Sequence, residues 1–450
     1  MMKKKAKSMG LFASLLALTV VGVTSVAEKA ISAQSSPRNR AVSATADGRA
    51  GGRVVDDGGI VPAARDYVGF MYTSTNAKPG NAIIAMGRAR DGSLVELPSS
   101  PFATGGDGVA VGDFDTQWSL RMVGDYLLAV NAEGKPTNGS IAVFRVNRDD
   151  GSLFRIDQNP ATPAMDNMDS RGMRAASITS SVAGGKTWVV VANMHSYPNH
   201  QGVPAKAVGT VESSPLRNLA VFTMDPTTGV LKFSSIGTTY KSGVNGGPTT
   251  VEFNPSGTKL AVSTWGVPHF MAPKPDSALQ KASRLYVYNF ADGKMTQTGM
   301  FEEAGIFGSI GPSWSPNGEF IYLSNFNLHS SKDVNDLTVH DGTTGAKVQN
   351  FATGGTNDEA CGTLVSLDKQ KLFVANFAQN VVSVVDINSD NRLSQSLKPN
   401  FFARRGVPMH DTKDMYETPG GHLYVLGAYP SHSAASGSLT EQTAPCVSMT

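Results

Sequence analysis

Much that would specialise a chain is scarce here. Cysteine occurs only 2 times in 450 residues, which excludes a disulfide scaffold. Charged residues make up 17%, too few for a coiled coil, and the 47 glycines follow no three-residue period, so the chain is not collagen-like. Neither sign of charge dominates, with 39 basic and 37 acidic residues. Lys and Arg form no stripe beyond the N-terminus, which argues against a nucleic-acid partner. The Gly-x-Ser-x-Gly elbow, the phosphate-binding loop, the dinucleotide fingerprint and the Cys-x-x-Cys pair are all missing. Those enzyme classes are set aside, and no cofactor is expected.

What is present begins with an address. Lys3, Lys4, Lys5 and Lys7 precede an apolar run from Leu11 to Val23, and Ser25 and Ala27 supply the small residues of a cleavage site. The run is too short to cross a bilayer as a helix. Residues 1–27 therefore read as a secretory signal peptide, with no membrane span, and the mature protein as secreted or periplasmic. Its loss removes four lysines and no acidic residue, leaving a slightly acidic mature chain. Residues 28–64 are Ser, Ala, Gly and Arg with almost no apolar periodicity. They bury too little to offset their ordering entropy and read as a flexible arm.

From there a repeat sets the fold class. One short apolar strand recurs as Tyr67-Val68-Gly69, Leu127 to Asn131, Val189 to Asn193, Leu260 to Ser263, Ile321 to Asn325, Leu372 to Asn376 and Leu423 to Gly427. The spacing of about 50 to 70 residues is that of a propeller blade with insertions. Each copy has an earlier strand and a turn before it, such as Asn254-Pro255-Ser256-Gly257, and a further strand and turn after it, such as Asp292-Gly293-Lys294. The expectation is an all-β, seven-bladed propeller of four-stranded antiparallel blades over 65–430, followed by a tail, 431–450. The first repeat starts at its second strand, so its first strand must come from upstream or from the C-terminal end.

Blade topology sorts residues by face, because the loops from second to third strand and from fourth to the next first strand leave on one side. Six of the eight histidines fall there: His195, His200, His269, His329, His410 and His432. So do the long insertions 194–215, 266–283 and 326–336, and loops on a rigid scaffold commonly carry function. Nearest the axis would be Asn131, Asn193, Asn325 and Asn376 at strand ends, and Arg171, Arg174, Glu359, Arg405 and His410 leading into first strands. A His beside an Arg and a carboxylate could polarise an ester carbonyl and activate water. Asn at a strand end equally caps a turn, and Arg there equally ties blades together. The histidines also allow zinc or copper, and Asp333, Asn335 and Asp336 calcium, but the spacings do not support a metal and none is assigned. Trp265, beside an insertion, is the tryptophan placed to touch a ligand. Cys361 and Cys446 could pair in an oxidising compartment or remain thiols.

The run Tyr67-Val68-Gly69-Phe70-Met71-Tyr72-Thr73, with Arg90-Asp91-Gly92-Ser93-Leu94 after the next strand, resembles the opening of the lactonase family of seven-bladed propellers. That family includes 6-phosphogluconolactonase-type and carboxymuconate-cyclase-like proteins. Val191-Ala192-Asn193, Gly247-Pro248, Phe253-Asn254-Pro255-Ser256-Gly257, Gly311-Pro312 and Phe373-Val374-Ala375-Asn376-Phe377 are similar to its repeat and to surface-layer (YVTN-type) propeller repeats. The family's proline-histidine and Arg-His elements are replaced here by Gly246-Gly247-Pro248-Thr249-Thr250, and only Arg174, Arg405 and His410 hold comparable positions. The resemblance implies a lactonase-like hydrolase or cyclase acting on a small lactone or carboxylate. His410 or His269 would be the acid or base, and Arg174 and Arg405 the carboxylate clamp. His195, His200, His329, Asn193, Asn325, Asn376, Trp265 and Glu359 would line the ligand. The alternative is a non-catalytic secreted propeller that engages a partner through its long loops. Either would be a monomer.

Overall fold

A computed structural model describes residues 67–109, 117–132, 138–195, 216–240, 247–266, 282–326, 335–353, 360–376, 381–401, 411–428 and 447–449. All belong to the unit running from Ile60 to Thr450. Every regular element among them is a strand. Turn chemistry explains why: a β-branched or aromatic run is broken every 5–9 residues or so by Gly, Asn or Asp, leaving no room for a helix.

The strands form small antiparallel sheets laid side by side. Blades 3 to 6 are plain four-stranded meanders. Blade 3 comprises Ala175–Ala183, Lys186–Asn193, Asn218–Met224 and Leu231–Thr239, and blade 4 Pro248–Phe253, Lys259–Thr264, Arg284–Ala291 and Lys294–Glu302. Blade 5 comprises Ser309–Trp314, Phe320–Asn325, Leu337–Asp341 and Lys347–Phe351, and blade 6 Ala360–Val365, Lys371–Asn376, Val381–Ile387 and Leu393–Phe401. Blade 2 (Leu120–Val123, Tyr126–Asn131, Ser140–Val146, Leu153–Arg155) carries a fifth short strand, Met168–Asp169, against its third. In blade 1, Gly69–Ser74 pairs with Ala82–Arg88, and Val447–Met449 supplies the strand on its inner side. The C-terminal end therefore completes the first blade.

The structure shows six blades, not the seven that counting repeats predicts. Among the described residues the seventh repeat is a two-stranded ladder, Asp411–Glu417 with Leu423–Ala428. The last described strand, Val447–Met449, pairs in blade 1. The ladder nevertheless fills a sector. Met415 packs with Ala375 and Val382 of blade 6, and Leu426 with Met71 of blade 1. Between each other pair of neighbours lies a similar dry layer, such as Val189, Val191 and Phe222 of blade 3 against Leu128 and Val143 of blade 2.

A recurring latch fixes neighbours in rotation. A polar group on the second strand of one sheet donates to a carbonyl in the turn joining third to fourth strand of the next, or, in blade 1, from the strand Gly69–Ser74. Tyr72 reaches Gly151 at 3.0 Å, Tyr126 Thr227 at 2.5 Å, Lys259 Gly342 at 3.1 Å and Tyr322 Asn391 at 2.7 Å. Tyr424 of the ladder reaches Gly92 of blade 1 at 2.8 Å, which joins the two ends of the repeat. Between blades 3 and 4 the corresponding contact is apolar. Gly293 has φ 77°, and a Cβ there would sit 2.7 Å from the Trp188 ring.

The candidate site in the central channel

The first strands of successive sheets pack on one another around the axis. Five of them carry a bulge just inside their leading end: between Ala175 and Ser177, Pro248 and Thr250, Ser309 and Pro312, Ala360 and Thr363, and Thr412 and Asp414. A bulge re-aims the side chains beside it. Four of the residues that close these bulges are Ser177, Thr250, Thr363 and Asp414, all buried. Three are small and neutral, and one is a carboxylic acid.

One residue reaches most of this layer. Gln117 is fully buried ahead of blade 2. Its amide N–H donates to Thr250 Oγ1 at 3.0 Å, and its Nε2 donates to Thr363 O at 2.9 Å and to Asp414 Oδ1 at 3.0 Å. Gly311 leaves room for it, since a Cβ there would lie 2.7 Å from Gln117 Oε1. Gln117 is thrust into the axis by Trp118, whose φ of 63° is a left-handed conformation costly for a bulky residue.

Asp414 is the chemically unusual member. Its Oδ1 also accepts the Met415 amide at 2.8 Å, while Oδ2 is buried and has no hydrogen-bond partner among the described residues. Burial pushes its pKa up to about 7, and hydrogen bonds from the Gln117 side chain and from backbone amides only partly oppose that rise. A carboxyl balanced between its two forms near neutral pH suits proton transfer. Two residues beyond Thr250 on the same strand, Glu252 is held differently: Arg121 Nη2 donates to it at 2.5 Å and to Thr179 Oγ1 at 2.7 Å.

A second group gathers where blade 3 begins. Met194 N–H donates to Arg174 O at 2.9 Å and His195 N–H to Met173 O at 2.8 Å, so the approach to the first strand is tied to the end of the second. Arg171, Arg174 and His195 all have left-handed backbones, with φ of 64°, 54° and 69°. Of the residues expected from sequence, the structure thus brings Arg174, His195 and Asn193 together.

The asparagines form interior clamps. Asn193 Oδ1 accepts Ser170 Oγ at 2.8 Å and its Nδ2 donates to Asn218 at 2.9 Å. Asn325 accepts Ser309 Oγ at 2.6 Å, and Asn376 donates to Ser383 Oγ at 2.9 Å. Trp265 is buried with Ile310, Phe326 and Cys361. His340 lies inside blade 5, where burial drops its pKa to about 4, so it stays neutral between Gly345 O and Thr338 Oγ1. Asp336 accepts the Thr353 amide at 3.2 Å. His200, His269, His329, Asp333, Glu359, Arg405, His410, His432 and Cys446 lie outside the described residues. Sequence reasoning missed Asp414 and Gln117. The available signal was an acidic residue in a first strand at the position where other repeats carry Ser or Thr.

No protein-family model matches the sequence, and no curated protein matches it. Solved structures do. A candidate 6-phosphogluconolactonase from Bacteroides fragilis aligns with a TM-score of 0.54 at 15% identity, over 86% of this chain and 100% of that one. The periplasmic gluconolactonase of Pseudomonas aeruginosa aligns with a TM-score of 0.52 at 17% identity, over 85% and 99%. A candidate 6-phosphogluconolactonase from Bacteroides uniformis gives 0.52 at 13%, over 81% and 89%. At such identities the likeness establishes architecture: the chain is a β-propeller similar in fold to lactonase-type propellers.

Proposed function

We propose that this protein is an exported lactonase-like propeller that binds a small lactone and hydrolyses it in the central channel, with Asp414 as general base. The observation that carries the reading is the Asp414 carboxyl buried at the bulge of a first strand, with Gln117 on Oδ1 and no partner for Oδ2 among the described residues; burial pushes its pKa up to about 7. Oδ2 takes a proton from a water molecule as the water oxygen bonds to the lactone carbonyl carbon. The acyl–oxygen bond of the ring then breaks, and the ring oxygen leaves with the proton that Asp414 returns. One water is consumed and a hydroxy acid is formed. Arg174 and His195, at the leading end of blade 3, are proposed to hold the carboxylate or carbonyl of the ligand. His410 and Arg405 directly precede the strand bearing Asp414 in the chain; Arg405 keeps its proposed role as clamp, and His410, with His269 as the second candidate, is proposed to polarise the lactone carbonyl. Export rests on the N-terminal sequence, and the likeness to a periplasmic protein is consistent with it.

Proton release in a pH-stat, over a panel of aldono-, muconate-derived and aromatic lactones, tests this. Turnover should rise with pH through about 7, as Asp414 loses its proton, and Asp414→Asn should lower kcat by about a hundredfold or more while remaining folded. No turnover by a monodisperse sample, or an undiminished rate in Asp414→Asn, overturns the reading.

A further inference from the structure

The seam between the two-stranded ladder and blade 1 closes the ring, and sheet register sets what lines it. Met71 lies opposite Met86, and both belong to the layer packed with Leu426 and Tyr424 of the ladder. Arg88 follows Met86 by two residues on the same strand, so its side chain leaves toward the same face. That places the guanidinium where the ladder turns from Glu417 to Leu423, at the end of the propeller opposite the long loops. Thr418, in this turn, stands four residues, about 13 Å along the strand, from Asp414.

Arg88 is only 6% exposed. Its Nη2 donates to Val68 O at 3.4 Å, its Nε is buried with no hydrogen-bond partner, and it forms no ion pair among the described residues. Across the seam, His422 Nδ1 is buried and likewise has no partner. The His422 ring is seated on Gly92 of blade 1, where a Cβ would collide with it, and Tyr424 bonds to the Gly92 carbonyl at 2.8 Å. Gly420 completes the arrangement. The three atoms nearest to its Cβ position are all polar: His422 Nδ1 at 3.5 Å, Arg88 Nη1 at 3.8 Å and Thr418 Oγ1 at 3.9 Å.

The acidic residues beside this turn are committed elsewhere. Asp91 is exposed, and its Oδ1 accepts the Ser93 amide at 2.9 Å and the Ser93 hydroxyl at 2.7 Å. Glu417 Oε2 accepts the Leu367 amide of blade 6 at 2.7 Å. A buried guanidinium is costly unless its charge is matched. Water on its donors would leave the charge in place, whereas an oxyanion matches both charge and fork geometry.

We propose that Arg88, His422 and Thr418 form a binding site for a small oxyanion, seated over Gly420 and bridging the ladder to blade 1. Arg88 supplies the charge through Nη1, and His422 donates from Nδ1 in the tautomer protonated there. The Thr418 hydroxyl, held only by a long 3.4 Å bond to His422 O, turns to the anion. The bound anion fastens the seam where the ring closes.

Scanning calorimetry of the full mature chain at constant ionic strength tests this, with sulfate or acetate replacing chloride in steps. At least one of the two should raise Tm along a saturating curve, by about 2 °C at ten times the half-saturating concentration. The rise should vanish in Arg88→Met and in Gly420→Ala, and persist in Asp414→Asn. Gly420 has no left-handed φ, and a methyl there meets its neighbours at ordinary contact distances while taking the place of the anion. It keeps every polar group, so a rise lost in Gly420→Ala reads binding rather than folding. Absence of a rise with both anions overturns the proposal, as does a rise retained in Arg88→Met or Gly420→Ala. A non-saturating rise shared by every variant is the general effect of excluded salts and overturns it too. Loss of the rise in Asp414→Asn would move the anion to the channel and overturn it equally.

Discussion

Glu252 and Asp414 look into the same channel from neighbouring layers, yet they are supported in contrasting ways. Glu252 has a cation at 2.5 Å, and about a fifth of each side chain of the pair remains exposed. Asp414 is buried, and its support is a neutral carboxamide and the backbone. An Arg neutralises a carboxylate, whereas an amide only solvates it, so burial dominates at Asp414 and the proton is retained to about pH 7. The Glu252 layer therefore reads as a structural brace between blades 2 and 4. The Asp414 layer reads as a place where stability is given up for a group that can exchange a proton near neutral pH.

Substituting Asp414 should separate the two layers most sharply. Below about pH 4 both folded and unfolded chains carry the Asp414 proton. Between about 4 and 7 only the folded chain does, so stability falls as the pH rises, and above about 7 the deficit is constant. The gap between 3.8 and about 7 corresponds to at most about 4 kcal/mol. Asp414→Asn should remove this slope and leave the protein more stable than wild type at pH 8. Urea denaturation at pH 5, 6, 7 and 8 measures it, and a variant less stable than wild type at pH 8 would show that the carboxylate is better compensated than its surroundings imply.

Arg121→Ala should act in the opposite direction and by less. It strands Glu252 in a partly exposed site and removes the donor to Thr179 Oγ1, which should cost about 2 kcal/mol. The loss should shrink at high salt, which screens the partly exposed pair. Equal destabilisation at low and at high salt would mean that the guanidinium contributes through packing on Trp118, 5.6 Å away, rather than through charge.

The contrast also shows what a sequence displays and what it hides. Blade strands and turns are legible because alternation and Gly or Asn turns are local signals, and Asp292-Gly293 marks its turn without help from the rest of the chain. The need for a borrowed strand was legible too, since Gly69–Ser74 lacks a preceding partner, but its source was open between upstream and the C-terminal end, and Val447–Met449 supplies it. The blade number was harder to read. The seventh apolar repeat looks like the others, and only the Ser- and Ala-rich composition beyond Ala428 sets it apart. The pairing of Gln117 with Asp414 spans 297 positions and depends on the left-handed Trp118 and on bulges that no local pattern announces. Strand-end asparagines carried the opposite difficulty, because one pattern serves equally for a ligand contact and for the clamps seen at Asn193 and Asn325.

Gln117 offers the finest adjustment of the comparison. Gln117→Met keeps the volume in the axis but removes the donor to Asp414 Oδ1 and Thr363 O. The ionised form of Asp414 loses its one side-chain donor and the protonated form loses less, so the pKa should move further up. The expected stability cost is about 1 kcal/mol near pH 5, where Asp414 is protonated in both proteins, and more at pH 8. The pH at which stability levels off should rise above that of wild type. A levelling point that stays fixed would show that Gln117 holds the blades together without tuning the acid, and the proton-exchanging character of this layer would then belong to burial alone.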